Sequence, residues 1–236
     1  MTGLKLLHID SSARQGISGA ERHGSHTRRL GRRFIERWQG LRPQDEVKHR
    51  DLATQAPGFV SAEWIAAAFT PPAHRSRESQ AVLAESDVLV DELCAADVIV
   101  IGAPMYNFGM PAVLKAYVDN IVRVGRTFGF DRQRQGLPYW PMLEGHGKRM
   151  VLLSARGDSG YEQGDLAASN HVEPALRAVF AYVGIRDVAS VAVEYDEFAD
   201  ERLQRSLGAA EARVDRLVEA MTPSQVTRPT TGVGKT

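Results

Sequence analysis

The chain has 236 residues, 43% of them hydrophobic, a length and composition that suit an α/β domain with a sizeable core. Its 29 basic residues balance 29 acidic ones, so no net field draws it to nucleic acid or to an anionic membrane. Its single cysteine, Cys94, excludes an internal disulfide, and no run reaches the ~18 apolar residues that cross a bilayer, so we expect a cytoplasmic protein.

Apolar strand candidates alternate with helix candidates along the chain. In chain order, the predicted strands cover residues 4–9, 46–52, 97–101, 148–155 and 187–194. The predicted helices cover residues 26–39, 61–69, 75–96, a segment opened by Pro111, 167–183 and 200–221. The remaining residues are rich in Gly, Pro, Ser and Asp, which favour loops and turns.

Strands that alternate with helices indicate parallel βαβ units, whose right-handed crossovers place helices on both faces of the sheet. We therefore predict an α/β fold with a flavodoxin-like, doubly wound, five-stranded parallel sheet of order 2-1-3-4-5. Residues 1–221 are expected to form this domain, and residues 222–236 a disordered tail.

The loop after the first predicted strand is rich in hydroxyl groups and glycine. It contains Ser12 and runs to Gly24 and Ser25, immediately before the first predicted helix. Free N–H groups at a helix start form an anion site, which favours a phosphate, but Ser25 is equally typical of a plain N-cap. The dinucleotide fingerprint Gly-x-Gly-x-x-Gly is absent, which argues against tightly held NAD.

Two further loops follow the third and fourth predicted strands. The first contains Met105, Tyr106, Asn107 and Phe108 and carries no charge, which favours a flat heteroaromatic ring over simple core packing. The second covers residues 154–160, where the glycines either close a turn or let the backbone approach a ring edge. Since the carboxyl ends of parallel strands meet at one crevice, the three loops together predict an FMN site.

The same residues carry a resemblance to a known family. The motif Pro-Met-Tyr-Asn-Phe at 104–108 and the partner motif Arg-Val-Gly-Arg-Thr-Phe at 123–128 are similar to those of FMN-dependent NADH:quinone oxidoreductases and azoreductases. Residues 151–157 resemble the second flavin loop of that family, and the likeness extends over about residues 3–220. Residues 15–23 and 133–147 are longer than is usual in the family, and His23 stands where the family often has Ser.

This resemblance implies a set of cofactor contacts. The FMN-binding residues are expected to be Ser12, His23, Gly24, Ser25, Met105, Tyr106, Asn107, Phe108, Ala155, Arg156, Gly157 and Asp158. Phe128 matches an aromatic position that lines the substrate pocket in the family. No metal is expected, because His23 and His26 have no evident partner ligands.

The resemblance also implies an activity. NADH, with NADPH as an alternative donor, is expected to pass a hydride to flavin N5, after which a quinone or an azo compound takes its place. One pocket used in turn by donor and acceptor predicts ping-pong kinetics without a catalytic side chain. The family further implies a homodimer. The alternatives are an NAD(P)H-dependent FMN reductase and a non-enzymatic flavin-binding module.

Overall fold

The computed structural model describes residues 3–222, so the predicted tail lies outside the described residues from Pro223 onward. The strands are β1 (Lys5–Asp10), β2 (Glu46–Asp51), β3 (Val98–Pro104), β4 (Phe128–Phe130), β5 (Tyr139–Pro141), β6 (Arg149–Ala155) and β7 (Asp187–Val193). The α-helices are α1 (His26–Leu41), α2 (Ala62–Phe69), α3 (Arg77–Ala95), α4 (Ala112–Ile121), α5 (Glu173–Val183) and α6 (Glu201–Met221).

Five parallel strands form the central sheet in the order β2-β1-β3-β6-β7. Numbered among themselves, these strands have the predicted order 2-1-3-4-5, so the predicted fold class is confirmed. Strand β3 is buried along its whole length, as its continuous apolar run indicates for a strand covered on both faces.

Helices cover both faces of the sheet. Helices α1 and α6 pack on one face, where Phe34 and Val214 belong to the same buried cluster as strand residues such as Val100. Helices α3, α4 and α5 pack on the other face around Ile101 and Phe180. Within residues 3–222, no helix is both long and apolar enough to span a membrane.

Strands β4 and β5 form a small antiparallel hairpin that the sequence patterns did not predict. Each strand has only three residues, too few for a period of two to be recognisable. Gly129 is required at its position, because a side chain there would collide with the indole ring of Trp140. Strand β5 lies within the segment 133–147 that was expected to be expanded relative to the family, and β4 precedes that segment.

The helix predicted over residues 167–183 was wrong at its start. Residues Ala167–Ser169 form a short 3₁₀ turn, and α5 begins only at Glu173. Between them, the Asn170 side chain accepts a hydrogen bond from the Val172 amide (3.1 Å), which favours a turn over a helix. Pro174 then lies in the first turn of α5, where its missing N–H costs no hydrogen bond.

Replacing Gly184 by alanine is expected to destabilise the protein by at least about 1 kcal/mol, since a left-handed backbone disfavours any Cβ. Gly184 ends α5 with φ of +108°, and a Cβ there would also collide with the backbone of Leu143 and Glu144. Gly208→Ala is the matched control: this exposed helical site has open space around it, and the change should stabilise by ~0.5–1 kcal/mol. Urea unfolding measures both, and equal stability of the two variants would contradict the prediction.

Candidate functional site

A cleft of about 300 Å³ opens at the carboxyl ends of the central strands. Its walls come from three loops, those that follow β1, β3 and β6, together with the segment after β7. The lining residues are Ser12, Arg14, Ser25, His26, Pro104, Met105, Tyr106, Asn107, Ala155, Gly157, Asp196 and Glu197. This is the edge at which doubly wound sheets bind their ligands.

One end of the cleft is the start of α1. Ser25 is the N-cap: its backbone is extended, and its hydroxyl accepts a hydrogen bond from the Arg28 amide (3.3 Å) and pairs with the Thr27 hydroxyl (2.9 Å). The amides of His26 and Thr27, the first two of the helix, have no intrahelical partner. Together with the positive end of the helix dipole, these donors form an anion-binding end.

The loop that carries Ser12 is fixed by one buried arginine. Arg28 donates from Nε to the Arg14 carbonyl (2.8 Å) and from Nη2 to the Ser12 carbonyl (3.0 Å). The guanidinium also makes two hydrogen bonds of 2.8 Å to the Asp51 carboxylate. Bidentate pairing of this kind fixes geometry as well as charge, so the loop backbone is held in place before a ligand arrives.

Charged side chains also line this end. Asp196 lies 3.1 Å from His26 Nε2 and 3.4 Å from Arg14 Nη1. The hydrogen bond from His26 holds the pKa of Asp196 below its usual range. The other ring nitrogen of His26 pairs with the Ser18 hydroxyl (2.8 Å), so the imidazole is oriented from both sides. The negative charge of Asp196 is thereby matched by basic partners in the cleft.

The opposite wall is a strained turn after β3. Asn107 has φ of +49° and Phe108 φ of +69°, and Tyr106 and Gly109 exchange two backbone hydrogen bonds of 2.8 and 3.0 Å. Asn tolerates the left-handed region, whereas for Phe it costs on the order of 1–3 kcal/mol. Such strain persists where the shape of a loop is needed for a site.

Hydrogen bonds connect the three loops. The Tyr106 hydroxyl accepts a hydrogen bond from the Ala13 amide (3.1 Å), which joins the turn to the first loop. The Met105 amide donates to the Ala155 carbonyl (2.9 Å), which joins it to the third. Gly157 leaves room for the Glu197 side chain, since an added Cβ would collide with it. The cleft is therefore one connected structure.

Comparison with known proteins identifies the family. A family profile described as a flavodoxin-like fold matches residues 5–215. An FMN-dependent NADH:quinone oxidoreductase 2 of Colwellia psychrerythraea is 40% identical over 92% of this chain and 99% of the relative. Another of that name, from Idiomarina loihiensis, is 42% identical over 93% of this chain and 91% of the relative. The chain belongs to the flavodoxin-like family of FMN-dependent NADH:quinone oxidoreductases.

Solved structures share this family's fold. An azoreductase from Bacillus anthracis superposes with a TM-score of 0.79, covering 92% of this chain and 99% of that one at 21% identity. An NAD(P)H:quinone oxidoreductase from Methanothermobacter marburgensis has a TM-score of 0.62 at 14% identity, covering 91% of this chain and 99% of that one. At these identities the likeness establishes the fold.

The residues that the quinone oxidoreductase motifs assigned to the cofactor divide into two groups. Those that line the cleft are Ser12, Ser25, Met105, Tyr106, Asn107, Ala155 and Gly157. Those that lie outside its lining are His23, Gly24, Phe108, Arg156 and Asp158. His23, Phe108 and Asp158 are exposed, and Gly24 packs on the backbone of Ile17. The cofactor contacts of both groups stay predictions.

The expected cofactor contacts did not include Arg14, His26 and Pro104, although these lie in the predicted loops, and the sequence patterns missed Asp196 and Glu197. The signal for the last two was their position directly after a predicted strand, since every such loop faces the same edge of the sheet.

Phe128 is nearly buried and lies outside the cleft lining, and its ring centroid is 5.2 Å from that of Tyr182. Its place in a substrate pocket stays a prediction.

The side chain of Arg156 is buried beneath the cleft. It forms an ion pair with the buried carboxylate of Glu173, which also accepts a hydrogen bond from the Ser154 hydroxyl (2.5 Å). A second carboxylate, that of Glu194, lies 3.4 Å from the guanidinium. Arg156 therefore supports the third loop from below, while its neighbours Ala155 and Gly157 present their surface to the cleft.

The wild type is expected to have a higher free energy of unfolding than Glu173→Gln at neutral pH, and this difference is expected to shrink in acid. Burial alone would raise the pKa of Glu173, but hydrogen bonds from Ser154 and Arg156 outweigh it and lower the pKa. Ionised Glu173 therefore stabilises the fold above its unfolded pKa of about 4.3, and this contribution is lost as the pH falls through the lower folded pKa. Urea unfolding at a series of pH values measures the difference; a difference that stays constant from neutral to acid pH would contradict the prediction.

Proposed function

We propose that this protein is an FMN-dependent NAD(P)H oxidoreductase that reduces quinones and azo compounds. The observation that carries the proposal is the single cleft that joins an anion-binding helix start to an uncharged aromatic turn. That pairing suits a molecule with a phosphate at one end and a flat ring at the other. The near-complete coverage by relatives named FMN-dependent NADH:quinone oxidoreductase supports the same cofactor.

The residues of the cleft fit FMN at both ends. Ser12 and Ser25 offer hydroxyl groups beside the unpaired amides at the start of α1, where a phosphate is favoured. Asn107 and the backbone of Ala155 and Gly157 offer polar groups at the other end, with the apolar surface of Met105 between them. When bound, FMN supplies two-electron hydride transfer between a nicotinamide donor and an acceptor.

The chain's own residues would bind the cofactor and orient the loops around it. The network around Arg28 holds the loop that carries Ser12, here called the phosphate loop. The hydrogen bond between Tyr106 and Ala13 sets the spacing between that loop and the aromatic turn after β3. Arg14 brings a positive charge to the anion end, and Asp196 contacts both Arg14 and His26 and orients them. FMN would carry the hydride, so no side-chain nucleophile is required. A single cleft that admits donor and acceptor in turn would give ping-pong kinetics.

The homodimer, the cytoplasmic location and the use of NADPH belong to this proposal as well. Exposed apolar side chains near the cleft and on the β4–β5 hairpin support a second copy that covers them. These are Phe108, Phe130, Leu137, Tyr139 and Trp140, each at least one third exposed. Light scattering on the purified FMN-loaded protein is expected to give twice the mass of one chain, and a monomer mass would contradict this part.

Steady-state kinetics test the activity. The protein is saturated with FMN, and NADH oxidation is followed with menadione and then with an azo dye as acceptor; NADPH is compared as donor. We expect bound flavin, acceptor-dependent turnover and parallel double-reciprocal lines. Release of free reduced FMN as the product would identify an FMN reductase instead. Flavin binding without any turnover would identify a binding module, and the absence of flavin binding would contradict the whole proposal.

A further inference from the structure

A second group of chemically active side chains lies on the α1 face of the sheet, outside the cleft. His8 of β1 and His49 of β2 are paired in the register of the two strands. Asp10 follows His8 by two residues and therefore lies on the same face of β1. One ligand atom from each of these three side chains falls within 4.8 Å of the others.

The distances fit a first-row transition metal. His8 Nε2 lies 3.6 Å from Asp10 Oδ1, and His49 Nε2 lies 2.9 Å from Asp10 Oδ2. A tetrahedral Zn²⁺ with bonds of about 2.0–2.1 Å keeps its ligand atoms about 3.3 Å apart. One ligand atom from each side chain is already within 4.8 Å of the other two. Two imidazoles with one carboxylate select zinc-like ions over Mg²⁺ or Ca²⁺, which prefer oxygen ligands.

Two of these ligand atoms are buried without a hydrogen-bond partner among the described residues. They are His8 Nε2 and Asp10 Oδ1, on side chains of residues that are 7% and 4% exposed. Buried polar atoms are normally satisfied, and these two lie 3.6 Å apart, a separation that one ion bound to both would bridge. Gly31 of α1 leaves room for the His8 ring itself, because a Cβ there would collide with His8 Nε2.

The cluster is accessible from one side. The His49 side chain is half exposed on the edge strand and faces a cavity of about 370 Å³, whose other lining residues include Gln15 and Glu36. This opening provides an entry path and room for a water molecule as the fourth ligand. Arg28 lies 3.4 Å from Asp10, but its charge is already matched by the bidentate pair with Asp51.

We propose that His8, Asp10 and His49 bind one divalent transition-metal ion of the Zn²⁺ class, with solvent in the fourth position. Both imidazoles ligate through Nε2 and Asp10 through one carboxylate oxygen. The ion ties edge strand β2 to β1 directly below the phosphate loop. This site is separate from the proposed FMN cleft, which shares none of its three ligands.

Zinc titration of the full chain, prepared without a polyhistidine tag and with and without FMN, tests the proposal. We expect the wild type to take up one Zn²⁺ per chain by calorimetry. His49→Ala should weaken this affinity by at least about tenfold, since even the loss of an outer-shell partner costs that much. The matched control is His74→Ala, which removes an exposed imidazole from the short turn Pro72–His74. It should bind Zn²⁺ like the wild type.

Two further readouts identify the site. Zn²⁺ should raise the melting temperature of the wild type but not of His49→Ala, by mass action on the folded state. Co²⁺ should give the intense visible bands of four-coordinate geometry in the wild type only. His49→Gln, which keeps a polar partner for Asp10, verifies that lost binding does not reflect misfolding. Equal Zn²⁺ affinity in the wild type and both His49 variants, or Zn²⁺ that FMN displaces, would overturn the assignment.

Discussion

Replacing Ser25 by aspartate is expected to weaken FMN binding by at least about 100-fold. Ser25 caps α1 at the anion end of the cleft. Aspartate caps a helix as well as serine does, so the change adds one negative charge where the phosphate is expected. Two unit charges about 4 Å apart repel by ~4 kcal/mol at an effective dielectric constant of 20, and each ~1.4 kcal/mol is tenfold in affinity. Quenching of flavin fluorescence measures the dissociation constant.

The matched control is Ser76→Asp. Ser76 is the N-cap of α3, is exposed and lies outside the cleft, and its hydroxyl accepts from the Ser79 amide (3.2 Å) as Ser25 does from its own helix. This variant should bind FMN like the wild type. Ser25→Ala removes the cap without adding charge. Its FMN affinity should lie between that of Ser25→Asp and that of Ser76→Asp. Wild-type FMN affinity in a folded Ser25→Asp protein would place the phosphate elsewhere and contradict the proposed orientation.

Replacing Arg156 by alanine is expected to reduce the free energy of unfolding by about 3–5 kcal/mol, the usual cost of leaving a buried charge without its partner. The side chain is 1% exposed, and its loss leaves the Glu173 carboxylate without its cation. Its guanidinium also lies 5.9 Å from the ring centroid of Tyr161, a contact that alanine cannot make. Urea unfolding in neutral buffer measures the change.

Two further variants distinguish the effect of losing a buried charged group from that of losing an exposed one. Arg205→Ala removes an ion pair with Glu201 whose side chains are 69% and 92% exposed, and it should change stability by less than about 0.5 kcal/mol. The double variant Arg156→Ala/Glu173→Gln should recover part of the loss, because the buried charge of Glu173 is then removed together with its partner. A loss below about 1 kcal/mol for Arg156→Ala would mean that the pair is hydrated and unimportant for stability.

Much of the proposed cofactor site was predictable, because it follows from local patterns and one topological rule. The first loop showed hydroxyl groups before a helix, and the turn after β3 showed uncharged aromatic residues between a buried strand and Pro111. Parallel strands put such loops at one edge. By contrast, neither the left-handed backbone of Phe108 nor the buried position of Arg156 has a local signature, since both depend on what packs around them.

The sequence by itself determined the α/β class, the order of the five sheet strands and the edge at which the loops meet. Apolar runs, their alternation with amphipathic helices and the right hand of crossovers give the class and the edge, and the flavodoxin-like arrangement of five such strands gives the order. Only the tertiary structure decided which distant groups meet: Asp196 with His26 in the cleft, and His8 with His49 across two strands. These pairs depend on strand register and helix packing, which act between residues far apart in the chain and leave no periodic trace in it.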